Sequence, residues 1–324
     1  MRTSSFLVGL GAALLVVCAS PKRATADEAS SSSSQPPRKT PPSDQEKSAR
    51  PEVAWDPGWP VFSVPEFVLT GGLVLGTGAF IFFGKEGEPN WRGPILFDLP
   101  IRDALRPNSP VARKNAQLVS NVFYYGGLAA PFVVDVLGAA LIAHRSPKVA
   151  AQMALIDLEA FSISGFLSFL SNATIRRERS YMRECGPGKP NPVFPDCEVA
   201  GQSEGFFSGH TAIAFTGTAL TCMHHANLPL YGTSGTGGTI ACVGAMGGAS
   251  AEAVLRLVAD KHYATDVIVG AGVGLAAGFI VPWLHYRARP NLTDGATERQ
   301  AAVQWMPAPL ISPTTVGVGA LGRF

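Results

Sequence analysis

Three short polar blocks in this chain carry residues that can do chemistry, and each sits at the edge of an apolar run. The first is Arg176-Arg177-Glu178-Arg179, the second Ser208-Gly209-His210-Thr211, the third Arg256 to Asp266 with His262 inside it. Ser208 and Gly209 read as the start of a helix, where free backbone N–H groups and the helix dipole make a ready cradle for an oxyanion. His210 places an imidazole in that cradle. In the third block, His262 and Asp266 are four residues apart, a spacing that puts both on one face of a helix. A carboxylate beside an imidazole fixes its tautomer and steadies its cation, the partnership that catalytic histidines use. Arginines in the first and third blocks add fixed positive charge. Two imidazoles, a carboxylate and several guanidinium groups suit nucleophilic and acid–base chemistry on an anion.

The elements that must position these blocks are membrane-length. Apolar runs fall at residues 67–83, 118–143, 149–170, 211–223, 237–258 and 263–286. A spanning helix needs about 20 mostly apolar residues, and the runs at 67–83 and 211–223 are short by that measure. The expected fold is all-α, a six-helix transmembrane bundle over residues 61–290. The runs are rich in Gly, Ala, Ser and Thr, which favours close helix packing in lipid over a soluble helical domain. Asp135, Asp157 and Glu159 lie inside them and are expected to face the bundle interior, as partners of the arginine cluster or near an interface.

Residues 1–26 read as a signal peptide: Arg2, an apolar core to Ala19, and the small-x-small site Ala24-Thr25-Ala26. An uncleaved anchor is the alternative. Residues 27–60 are rich in Ser and Pro and are expected to form a disordered linker. Residues 291–324 form a C-terminal tail that is either a short strand or mobile. A net charge of +2 on 324 residues argues against nucleic acid as a partner. Cys222 and Cys242 fall in apolar runs and read as packing residues. Cys185 and Cys197 flank the loop before Ser208, where a disulfide would imply an oxidising compartment. His224 and His225 are adjacent and point apart on a helix, so they offer no metal site. No zinc-ligand spacing, P-loop or dinucleotide fingerprint is present, and no metal or cofactor is expected.

The three blocks, taken together, resemble the type 2 phosphatidic acid phosphatase family, in the superfamily shared with vanadium haloperoxidases. The family's pattern is Lys-x6-Arg-Pro, then Pro-Ser-Gly-His, then Ser-Arg-x5-His-x3-Asp. Here Ser208-Gly209-His210 is preceded by Phe207, and Arg256-x5-His262-x3-Asp266 by Leu255. Arg179 takes the arginine of the first block, Asn172 stands where lysine is expected, and Ser180 replaces the proline. The resemblance implies a metal-independent phosphatase acting on a lipid phosphate monoester or a polyprenyl diphosphate among membrane lipids. It implies His262 as nucleophile forming a phosphohistidine, Asp266 as its orienting partner, and His210 as acid and then base. Arg179, Arg256, Ser208 and Gly209 would hold the phosphate, with Arg177 and Asn172 as further candidates. Arg176, one helical turn beyond Asn172, and Arg177 are expected to make up its missing charge. A vanadate-dependent peroxidase, or a weakened homologue that only binds anionic lipid, are the competing readings. The expected location is a bacterial-type cell membrane. Counting crossings puts the arginine block inside, whereas the cysteine pair and the family's habit put it outside; the outward placement is preferred.

Overall fold

The computed structural model describes residues 53–84, 87–185, 197 and 201–287, together with the backbone of residues 304–312 and 315–323. The signal-peptide and most of the linker expectation lie outside the described residues. The chain divides into two units, Met1–Arg287 and Ala288–Phe324.

The first unit is helical. Its helices are α1 (Val64–Phe83), α2 (Asp98–Leu105), α3 (Pro110–Ala130), α4 (Pro147–Ile175), α5 (Gly209–Asn227), α6 (Thr236–Val258) and α7 (Ala264–His285). Local chemistry sets their starts. Proline stands in the first turn of α1, α3 and α4, where its missing N–H costs nothing. Ser109 and Ser208 each cap their helix by accepting a backbone N–H, from Ala112 and Thr211 respectively. Pro131 has no N–H to give, and from it α3 continues to Ala143 with the wider π repeat.

Among the described residues, five segments are long and apolar enough to cross a membrane: Val64–Phe83, Pro110–Ala143, Pro147–Ile175, Thr236–Val258 and Ala264–His285. The expected six-helix count therefore stands at five by this measure. The remaining long helix, α5, is diluted by Thr and Gly, and most of it is buried, packed against α3, α4, α6 and α7. Its tightest contact is with α7, where Gly270, Gly274 and Gly278 repeat every fourth residue. A Cβ on any of them would lie inside van der Waals distance of the carbonyl oxygens of Ser208, Ala212 and Thr216 respectively. This small-residue stripe lets two backbones touch and fixes α5 against α7.

Three expectations need correction. Residues 53–60 are not linker: Val53 and Trp55 are buried, and Trp55 and Trp59 pack edge-on beside Tyr286. The buried acids do not serve the arginine cluster. Asp157 binds His224 at 2.7 Å, and Asp135 gathers His225, Thr221 and Tyr231 at 3.0–3.1 Å. Adjacent on α5, the two histidines do point apart, each to its own carboxylate. Glu159 lies beside His285. Cys222 and Cys242 are joined by a disulfide linking α5 to α6, because antiparallel neighbours bring their Cα atoms to 4.5 Å.

The second unit contains an antiparallel hairpin, β1 (Gln304–Ser312) and β2 (Thr315–Arg323), in which Gln304 faces Arg323 and Ser312 faces Thr315.

Candidate active site

The loop between α6 and α7 carries His262, and two buried arginine networks hold it from either side. On one side Asp260, with a positive φ of 56°, accepts from Arg102 Nε at 2.7 Å and Nη2 at 2.6 Å, and from Arg106 Nε at 2.6 Å. On the other side Asp266 caps α7 by accepting the Tyr263 N–H at 2.8 Å, and it also accepts from Arg177 Nη1. Arg177 further binds Thr265 Oγ1 at 2.8 Å, Asp98 Oδ2 at 2.6 Å and the Gly93 carbonyl at 3.1 Å. Its guanidinium lies over the rings of Trp91 and Tyr263, at 4.1 and 4.5 Å from their centroids. A parallel bridge between Trp91 and Arg177 brings these segments together. Asp98 completes the frame by accepting the Thr265 N–H at 2.9 Å.

Arg177 is therefore a keystone rather than a phosphate ligand: it is fully buried and its Nη groups are engaged by the frame. Arg176 does not stand in for the missing lysine either. α4 ends at Ile175, and Arg176 takes the left-handed conformation with Nε on the Ala173 carbonyl, so the face shared with Asn172 on paper is broken.

His262 precedes α7 instead of sharing a helical face with Asp266. Its Nδ1 is 2.8 Å from the Gly205 carbonyl and 4.0 Å from Asp266 Oδ2. A carbonyl only accepts, so neutral His262 carries its proton on Nδ1 and keeps a lone pair on Nε2. The tautomer is thus set by a backbone carbonyl, with the carboxylate one shell further out. Burial first, then the positive charges of Arg179 and Arg256, hold His262 well below the ordinary histidine pKa of 6.5, against the opposing pull of the Gly205 carbonyl.

His262 and His210 line the same cavity, of about 590 Å³. Asn172, Arg179, Glu204 and Gly209 also line it. Ser208 is buried beneath the cavity floor, bonded to Thr211 Oγ1 at 2.9 Å. Gly209 has no room for a side chain, since a Cβ would collide with Ser168 Oγ. The His210 ring packs on Tyr124, with centroids 4.3 Å apart. Arg179 gives Nη2 to Glu204 at 3.2 Å, while its Nε is buried without a partner. Arg256 is held by Glu252 at 2.9 Å and Asn121 at 2.7 Å; neither bond uses its Nη1. Asn172 Oδ1 is likewise buried and unpartnered. Apolar side chains also line the cavity: Val74 and Ile81 of α1, Leu128 of α3, and Phe161 and Phe169 of α4. A Cys185–Cys197 disulfide staples the loop that follows the arginine block.

Sequence reasoning misses several of these groups. Glu252 is legible as an i, i+4 partner of Arg256. Asn121, Tyr124, Gly205, Asp98 and Arg102 carry no local signal, because each meets the site from a distant segment. The arrangement places a desolvated imidazole and a second one in one cavity, beside Arg179 and apolar side chains.

Residues 158–290 match the family model of the PAP2 superfamily. Among solved structures, the chain is similar to a transmembrane PAP2 type phosphatidylglycerolphosphate phosphatase from Bacillus subtilis. The identity is 17%, covering 67% of this chain and 93% of that one, with a TM-score of 0.43. No curated protein matches the sequence.

Proposed function

From the PAP2 superfamily segment that spans residues 158–290 we propose that this protein is a multi-pass membrane phosphatase that removes phosphate from a lipid phosphate monoester or a polyprenyl diphosphate. The observation that carries the reading is a cavity lined by His210, His262 and Arg179 together with apolar side chains of α1, α3 and α4. Such a chamber suits an amphiphile whose charged head meets the two histidines and Arg179.

In the proposed reaction His262 Nε2 attacks phosphorus, forming a P–N bond as the P–O bond to the leaving group breaks. His210, protonated in the substrate complex, gives its proton to the departing oxygen. Water then attacks the phosphohistidine, His210 takes its proton, and phosphate leaves with the electrons of the P–N bond returning to Nε2. Arg179 Nε, Arg256 Nη1 and the backbone N–H groups at the start of α5 meet the equatorial oxygens as charge spreads over them. Asp266, 4.0 Å from Nδ1, stabilises the ring once it becomes cationic. Asn172 offers a neutral amide where a lysine would bring charge, so the pocket relies on its two arginines. The Cys185–Cys197 disulfide beside the site supports a cell membrane in which this end faces the oxidising outer side.

Phosphate release by the purified protein from phosphatidic acid, phosphatidylglycerol phosphate and undecaprenyl diphosphate tests the reading. His262→Ala is expected to lower turnover at least a thousandfold. Undiminished release by that variant would sink the mechanism.

A further inference from the structure

A second charged cluster lies next to the cavity wall at Phe161 and Ser162, and the reaction proposed above does not use it. Glu66 in the first turn of α1, Glu159 in the middle of α4 and His285 at the end of α7 bring one ligand atom each within 4.8 Å of one another. Glu159 precedes Asn172 on α4 by roughly 20 Å of helix, which separates the cluster from the residues proposed to hold phosphate. His285 Nε2 is 3.6 Å from Glu66 Oε1 and 3.9 Å from Glu159 Oε2, both too long for hydrogen bonds. The Glu159 side chain is only 8% exposed, and among the described residues it has no hydrogen-bond partner. An unpartnered carboxylate in a buried setting costs several kcal/mol unless a counter-charge sits beside it. Here Glu159 and the half-buried Glu66 face one imidazole.

We propose that Glu66, Glu159 and His285 form a divalent-cation site, zinc by the chemistry of its ligands, that clips α1 to the bundle. Two carboxylates balance the charge of one divalent ion, and imidazole selects zinc over magnesium or calcium. Ligand atoms around a tetrahedral zinc bonded at about 2.0–2.1 Å stand roughly 3.4 Å apart, so a small inward rotation of the carboxylates closes the present spacing. Two of the ligands are already oriented. Glu66 uses Oε2 to accept the Ser63 N–H, leaving Oε1 for the cluster. The His285 ring stacks on Phe62, with planes 11° apart. Glu66 is 29% exposed at its side chain, which leaves water a route to the fourth position.

The clip has a structural purpose. α1 packs chiefly along α4 and buries only Thr70, so little else holds it. Yet α1 supplies Val74, Thr77, Gly78 and Ile81 to the wall of the substrate cavity. An ion at Glu66 fixes the start of that wall about two turns away.

The full-length protein, stripped with EDTA and dialysed against zinc, tests the proposal by metal analysis and thermal unfolding. The wild type is expected to retain about one zinc per chain and to melt at higher temperature with zinc than without. Glu159→Gln and Glu66→Gln are expected to bind zinc at least tenfold more weakly and to lose the zinc-dependent shift. Glu66→Gln keeps a carbonyl oxygen to cap Ser63, so it reads the ligand apart from the helix start. Equal zinc retention by wild type and both variants would overturn the site, as would a wild type stabilised by magnesium and not by zinc. The readout is independent of phosphate release, so loss of the phosphatase reading leaves this result standing, and the reverse.

Discussion

Arg177 and Arg179 stand two residues apart in one basic block, and the structure gives them different surroundings: the first is sealed in a buried frame, the second lines the cavity. Replacing Arg177 with Ala removes the cation that Asp98 and Asp266 share in a fully buried setting. Breaking one buried pair costs about 3–5 kcal/mol, and the two pairs share a partner, so their costs do not simply add. The stacking on Trp91 and Tyr263 is worth about 1–2 kcal/mol more. A loss of at least 4 kcal/mol is expected, against a typical total stability of about 5–15 kcal/mol. At roughly 2–4 °C per kcal/mol for a chain of this size, the unfolding midpoint should fall by about 10 °C or more. Arg179→Ala, by contrast, removes a part-exposed pair with Glu204 and should leave the midpoint within about 2 °C. Its effect should appear in phosphate release, as a loss of about a hundredfold in kcat/KM. Thermal unfolding in detergent, run beside steady-state phosphate release, separates the two. If Arg177→Ala melts like the wild type while only its KM rises, the keystone argument is wrong.

Three other outcomes follow from the same geometry. The attacking form of His262 is neutral and its pKa is held below 6.5, so the acid limb of kcat/KM due to this group should lie below pH 6.5. Arg179→Met removes one of the charges that depress it, so a pH profile of that variant should show the limb moving up towards 6.5; a downward shift would contradict the electrostatics. Gly274→Ala puts a methyl group against the Ala212 carbonyl and should destabilise the bundle by about 1–3 kcal/mol, measured by thermal unfolding. Asn172→Lys adds an ammonium at the cavity wall beside Arg179 and should lower KM for a phosphate substrate about fivefold, by roughly 1 kcal/mol of added attraction in a partly screened site.

Much of this site is legible in the sequence alone. Ser208, Gly209, His210, Arg256, His262 and Asp266 announce themselves because their chemistry depends on residue type at short spacing. Helix starts are equally local, being written as serine and proline at the head of apolar runs. Hydrophobic runs also locate the long helices, since burial in lipid is a property of composition averaged over about 20 residues.

Only the tertiary structure decided what each charge is for. Nothing in Arg176-Arg177-Glu178-Arg179 says that the second arginine is sealed between Asp98 and Asp266 while the fourth reaches the cavity; that depends on where α4 ends and on a bridge to Trp91. Spacing misleads about the partner of His262 for the same reason. Four residues imply a shared helical face only if both ends lie on the helix, and α7 begins after His262. Glu159 and His285 are far apart in sequence and carry no pattern, so their meeting with Glu66 appears only once three helices are packed. Residue type fixes which reactions a side chain can take part in, but a pocket is made of distances between remote segments, and those are set by packing.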